Sequence, residues 1–125
     1  MNEIAKALYA FWSKFGIPAY ASDAVPPNAQ LPYIRYDVAS APLMEGNILT
    51  AYNYHSEKLM GNVERMEMAG RIADAIPEGG TRIPVDGGGF LCLYRNSPFQ
   101  STYQDPEDPD VIGVRTAVEV RYYTM

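Results

Sequence analysis

Few residues in this sequence carry chemistry on their own, and each has to be weighed with its neighbours. There is one histidine, His55, and one cysteine, Cys92. A histidine base needs a partner holding its second ring nitrogen, and no Ser–His–Asp or Cys–His order is visible, so His55 reads as a strand-surface residue. Cys92 lies among Phe90, Leu91, Leu93 and Tyr94, where a thiol behaves as a small buried hydrophobe rather than an activated nucleophile. A lone cysteine also excludes an internal disulfide framework and a multi-cysteine zinc or iron–sulfur site. Asp105, Glu107, Asp108 and Asp110 crowd into one short stretch and offer the oxygen donors that calcium or magnesium takes. Pro106 and Pro109 interrupt the run and no glycine supplies a mid-loop turn, so it reads as a solvated acidic loop, and no metal or other cofactor is expected. Asp86 to Gly89 superficially resembles a phosphate-cradling loop. No Gly-Lys-Ser or Gly-Lys-Thr ending follows, and a glycine hairpin turn is the better reading. Nucleophile, base and oxyanion support do not occur together at recognisable spacing, which points away from an enzyme.

The ten tyrosines are a different kind of signal. They exceed what one small core can bury, and they cluster at Tyr33–Tyr36, Tyr52–Tyr54 and Tyr122–Tyr123. A ring with an apolar body and a polar tip suits a protein interface. The same rings also suit cross-strand pairing on a solvated sheet face, or a stacking platform for sugars or bases.

The elements that would position these residues follow from periodicity. Ile4, Leu8, Phe11, Trp12 and Phe15 recur at helical spacing, and Gly16 and Pro18 end that helix. Residues 19–32, with Pro26 and Pro27, read as a connecting loop. Period-two alternation predicts strands over Tyr33 to Ala39 and Leu49 to Ser56, with Pro42 ending the first and Glu45–Gly46–Asn47 as a turn between them. Asn62 is placed to cap a helix running to Ile76, with Val63, Met66, Ala69, Gly70, Ala73 and Ile76 as its apolar stripe; Pro77 and Gly79–Gly80 stop it. A short Arg82–Val85 segment and a strand over Phe90 to Arg95 form a hairpin about the glycine turn. Ser97 to Asp110 reads as a long exposed loop because of its three prolines. Val111 to Tyr123 is a final strand, with Val114, Thr116, Val118, Val120 and Tyr122 on one face. The order α-β-β-α-β-β-β implies a single α+β domain over residues 1–125, with two helices packed on a mostly antiparallel sheet of four to five strands.

Composition narrows the partners. Apolar residues make up 47% and charged residues 20% of the 125 positions, as in an ordinary folded domain. No stretch approaches the roughly 20 apolar residues of a membrane-spanning helix. The opening residues lack the pattern of a secretory leader, so a product made in the cytoplasm without membrane attachment is expected. A formal charge of −5 predicts no basic surface for gripping phosphates and disfavours sequence-reading nucleic-acid binding.

The C-terminal half carries a resemblance. Gly79–Gly80, Ile83–Pro84–Val85–Asp86–Gly87, the strand into Leu93–Tyr94–Arg95, Ser97–Pro98–Phe99–Gln100 and the closing Val114 to Thr124 strand resemble the tail-completion (tail-terminator, minor capsid) proteins of siphophage and prophage morphogenesis clusters. A strand ending in Tyr52–Asn53–Tyr54, followed by a helix and a hairpin, is similar to the tail-terminator fold. The resemblance implies a ring, usually a hexamer, on the head-proximal end of the tail tube, located in the virion. One face would bind tail-tube protein and the other the head connector or neck, with DNA passing through the lumen without sequence-specific binding. A head–tail connector adaptor is similar in size and equally poor in motifs, and an unrelated tyrosine-rich peptide- or sugar-binding module is a third reading. On the ring reading, the interface or lumen residues are Tyr103, Asp105, Glu107, Asp108 and Asp110 of the acidic loop and Asp86, Gly87, Gly88 and Gly89 of the turn.

Overall fold

Helix α1 (Glu3–Ser13) forms where the sequence places its apolar stripe: Ala7, Leu8, Phe11 and Trp12 are buried, and Phe15 follows them inward. The three aromatic rings interlock, Phe11 meeting Trp12 edge-on with centroids 4.9 Å apart and Phe15 at 5.8 Å. Each such fully buried side chain contributes roughly 1.5–3 kcal/mol relative to exposure. Gly16, at a φ of 88°, turns the chain out of the helix.

This computed structural model describes residues 3–37, 48–57, 62–108 and 111–123, with 48–57 taken by backbone alone. Strands β1 (Ala19–Ala21), β2 (Tyr33–Tyr36), β3 (Ile48–Glu57), β4 (Thr81–Pro84), β5 (Phe90–Gln104) and β6 (Val111–Tyr123) make one six-stranded sheet in the order β1-β2-β3-β6-β5-β4. All neighbours pair antiparallel except β1 with β2. The fold is therefore α+β, with helix α2 (Asn62–Ala75) between β3 and β4 in the chain. The turn at Glu45–Asn47 and the stop at Pro42 lie outside the described residues.

Three expectations are corrected. Residues 19–32 are not wholly a loop: Ala19–Ala21 pairs with Ile34 to Tyr36. Three residues are too few to show periodicity, and the strand exists because its neighbour supplies partners, with Ile34 N–H donating to Pro18 O and Ser22 N–H to Tyr36 O on either side. Nor is Ser97 to Asp110 one long loop. β5 continues to Gln104, paired with β6 as far as Ile112, and its register shifts between Arg95 and Gln100. The irregularity accommodates Pro98 at an exposed position, and because β4 ends its pairing at Leu93, no ladder bond on that side is lost.

The third correction concerns α2. Its buried residues are Met68, Ala69, Ile72 and, just beyond it, Ile76, whereas Val63 and Met66 are each 69% exposed and Gly70 is also outward. Side chains of β5 hold the helix in this orientation. Arg95 donates from Nε to Ile76 O at 2.5 Å and from Nη2 to Ala73 O at 2.9 Å. Gln100 Nε2 donates to Ala69 O at 2.8 Å. Arg71 Nη2 donates to Phe15 O at 2.8 Å, tying α2 to the end of α1. Ile76 O and Phe15 O lie just past helix ends, where carbonyls lack intrahelical partners, while Ala73 O accepts its side-chain bond as a second partner and Ala69 O accepts one within the helix.

The core lies between the helices and one face of the sheet. Leu91 and Leu93 of β5, Thr116, Val118 and Val120 of β6, and Ile34 and Tyr36 of β2 face it. Of the two faces that alternation gives the last strand, this is the one with Thr116, Val118 and Val120. Among the described residues, the opposite sheet face carries no helix.

Candidate functional site

The acidic segment is short and built as a tight hairpin end. Asp105 Oδ1 accepts hydrogen bonds from the backbone N–H of Glu107 (2.8 Å) and Asp108 (3.1 Å), while Asp105 N–H donates to Val111 O and Val111 N–H to Asp108 O, both at 3.0 Å. Asp105 thus organises the turn from within. Glu107 and Asp108 are exposed, and Asp110 lies outside the described residues. Tyr103 belongs not to the loop but to β5, opposite Gly113. Among the described residues, no group of three histidine, cysteine or acidic side chains is placed to hold a metal ion.

The glycine turn is a hairpin turn, as its sequence suggests. Gly87, Gly88 and Gly89 have φ values of 90°, 120° and 85°, which glycine alone adopts without strain. Gly88 N–H donates to Val85 O, and Tyr122 Oη donates to Gly88 O at 3.4 Å. Lys6 lies 3.5 Å from both Asp86 and Glu3, and those two carboxylates, Glu3 most of all, raise its pKa. An open groove of about 490 Å³ runs between α1 and β4 beside this pair, lined also by Phe11, Lys14 and Ile83. The glycine turn and the acidic tip lie at opposite ends of the 15-residue β5, about 45 Å apart at the usual rise per strand residue. The fold does not bring the two predicted segments together.

What it brings together instead is a set of arginines and aromatic rings on the helix-free sheet face. Phe90 pairs with Tyr123, Cys92 with Arg121 and with Arg82, and Tyr94 with Glu119. Phe90 and Tyr123 stack with centroids 5.3 Å apart at 25°. The Arg82 guanidinium lies 4.2 Å over the Phe90 ring and that of Arg121 5.1 Å over Tyr94, with Arg121 Nε also donating to Glu119 Oε2 at 2.7 Å. Alternation places Arg115 on the same face of β6, and Arg35, with the Tyr20–Tyr33 edge-on pair at 5.5 Å, on the same face of β1 and β2. Chain comparisons add no relative. No family model, curated protein or solved structure matches this chain.

The face has its own electrostatics. Four of the ten Lys and Arg residues, Arg35, Arg82, Arg115 and Arg121, lie on this face, against Glu119 alone among the acidic residues whose side chains are described on it. This face therefore carries more arginine than described carboxylate although the chain is net −5, and Glu119 already pairs with Arg121. Hydrogen bonding to Tyr123, and then to Glu119, raises the Arg121 pKa further. Cys92 is half-buried on this face and not within the core, and its hydrogen bond is the leading cause that raises the Tyr94 pKa. The His55 side chain lies outside the described part; its backbone pairs with Tyr33 and Gly113. The signal for this surface was present in the alternation of residues 115 to 123, but only the pairing of β4, β5 and β6 shows that their arginines and rings converge.

Proposed function

We propose that this chain is a structural assembly protein of the tail-completion type, forming a closed ring, of six subunits on the family's usual pattern, at the head-proximal end of a phage tail tube. The arginine–aromatic face, a sheet surface that no helix among the described residues covers and that is rich in the residue types that anchor protein interfaces, is the observation that carries this reading. Resemblance in the Gly79 to Thr124 segment supplies the kind of assembly. A heterologous contact between copies closes into a ring when its rotation divides the circle, so geometry alone sets subunit number. The ring stops tube growth by presenting no further tube-binding surface, and it joins tail to head connector in the virion. On this reading the acidic tip, Asp105 to Asp110, lines the lumen. Carboxylates there repel DNA phosphates over about 8 Å at physiological ionic strength and keep the passage free of sticking.

Light scattering on the purified chain, with and without magnesium, tests the ring, together with electron microscopy of tail tubes grown in its presence. A closed oligomer and tubes capped at one end are expected. A monomer that leaves tubes uncapped overturns the proposal, and binding to the portal side alone would make the chain a head–tail adaptor. A second reading rests on the Phe90–Tyr123 stack and the neighbouring Tyr94: a peptide- or sugar-binding module that works as a monomer through those rings.

A further inference from the structure

Helix α2 covers the sheet with only part of its circumference. Its outward side presents Val63, Met66, Glu67, Gly70 and Asp74, all exposed. Val63 and Met66 are large apolar groups left in water at 69% exposure each, next to carboxylates on the same side. Gly70 sits mid-helix, where glycine is a poor helix former, yet a Cβ built there meets nothing within 4 Å. Packing within the subunit therefore gives no reason for it, whereas a surface that must be approached closely does. On the other side of the domain lies the complementary pattern: arginines, with Phe90, Tyr94 and a 38% exposed Tyr123.

We infer that the outward side of α2 in one subunit docks on the arginine–aromatic sheet face of a second copy, and that this contact, repeated head to tail, is the ring interface. The inference rests on the ring reading above and names the surfaces that make it. Charge complementarity selects the occupant. Glu67 and Asp74 carry the charge opposite to the sheet-face arginines, and Met66 and Val63 suit rings that pack well with a thioether and an aliphatic group. The two surfaces lie on opposite sides of a helix-on-sheet domain, so they cannot satisfy each other within one subunit. Such a contact is heterologous by construction, as ring closure demands.

Sedimentation velocity over a concentration series tests this on the whole chain, with circular dichroism confirming that each variant folds. Paired reversals on the sheet (Arg82→Glu with Arg115→Glu) and on the helix (Glu67→Arg with Asp74→Arg) should each weaken association about tenfold or more. Mixing the two variants should restore it, because every contact again joins opposite signs. Gly70→Leu adds a side chain where the partner approaches, so it should block assembly while leaving the helix at least as stable as before. Variants that assemble like the wild type would overturn this interface and leave the ring itself standing. A wild-type chain that stays monomeric at every concentration and on tube ends would overturn the ring reading and this inference together. Binding of a single-stranded thymidine oligonucleotide, lost in the sheet variant while self-association persists, would make the face a nucleic-acid platform and overturn the docking assignment.

Discussion

Replacing Arg95 by leucine should loosen the junction between α2 and the sheet more than any other single polar change on this side of the fold. The guanidinium donates to Ile76 O and Ala73 O and lies 4.5 Å over the Phe99 ring. Hydrogen bonds from a charged donor contribute about 1.5–3 kcal/mol where their loss strands a partner, and a cation at a helix C-terminus adds about 0.3–1 kcal/mol. Leucine keeps the packing of the stem but none of these bonds. The carbonyls are part-buried and water can recover some of the loss, so the expected cost is about 2–3 kcal/mol. At the entropy of unfolding usual for a domain of this size, that lowers Tm by roughly 8–12 °C. Urea unfolding followed by far-ultraviolet circular dichroism measures it, with Arg95→Lys as the control that keeps the charge without the two-pronged geometry and should fall between. A loss under about 1 kcal/mol for leucine, or lysine equal to wild type, would refute the idea that the fork itself seats the helix.

Three further outcomes are expected. Gly89→Ala puts a Cβ 2.6 Å from Tyr123 O at a φ of 85°, so it should destabilise by about 1–3 kcal/mol, while Gly87→Ala, which meets no neighbouring atom, should cost less in the same denaturation assay. Asp105→Ala removes the acceptor of two backbone bonds at the hairpin tip and should cost about 1 kcal/mol, with amide exchange quickening at Glu107 and Asp108 but not at Leu91. Burial raises the Tyr36 pKa to about 12. The unfolded chain ionises first as pH rises, so stability should fall between about pH 10 and 12 by about 2 kcal/mol, and Tyr36→Phe should flatten that part of a pH-dependent melting curve.

Long, regularly patterned elements were legible in the sequence, and elements whose existence depends on a neighbour were not. The stripe of α1 and the alternation of β6 each contain enough repeats for periodicity to speak. β1 has three residues and borrows its order from β2. The extension of β5 past Pro98 was hidden because proline forbids a ladder bond only on the side where a partner sits, and the sequence does not say which side is open. The rotation of α2 was invisible for a related reason. Val63, Met66 and Ala73 are as apolar as the residues that are buried, and the residues that hold the helix in place, Arg95 and Gln100, come from another element. The glycine turn was read correctly as a hairpin turn, and the acidic run as the end of a loop that proved far shorter, but nothing local reveals that they cap opposite ends of one strand. The arginine–aromatic face had the same difficulty in stronger form, since its members come from strands separated by a helix and two turns.

The central position of β6 has a consequence for biosynthesis. It is paired along its length with β3 and with β5, yet it follows every other element in the chain. While the chain is being made, β3 waits without its main partner through the synthesis of α2, β4 and β5, because Ile48 pairs with Val120 and Glu57 with Val111. The sheet cannot close until those residues have left the ribosome, and such distant pairing slows the closing step itself. The arginine–aromatic face, which needs β6 for half its arginines, is therefore completed only when β6 pairs. Nascent chains on neighbouring ribosomes cannot engage one another through it before each has folded.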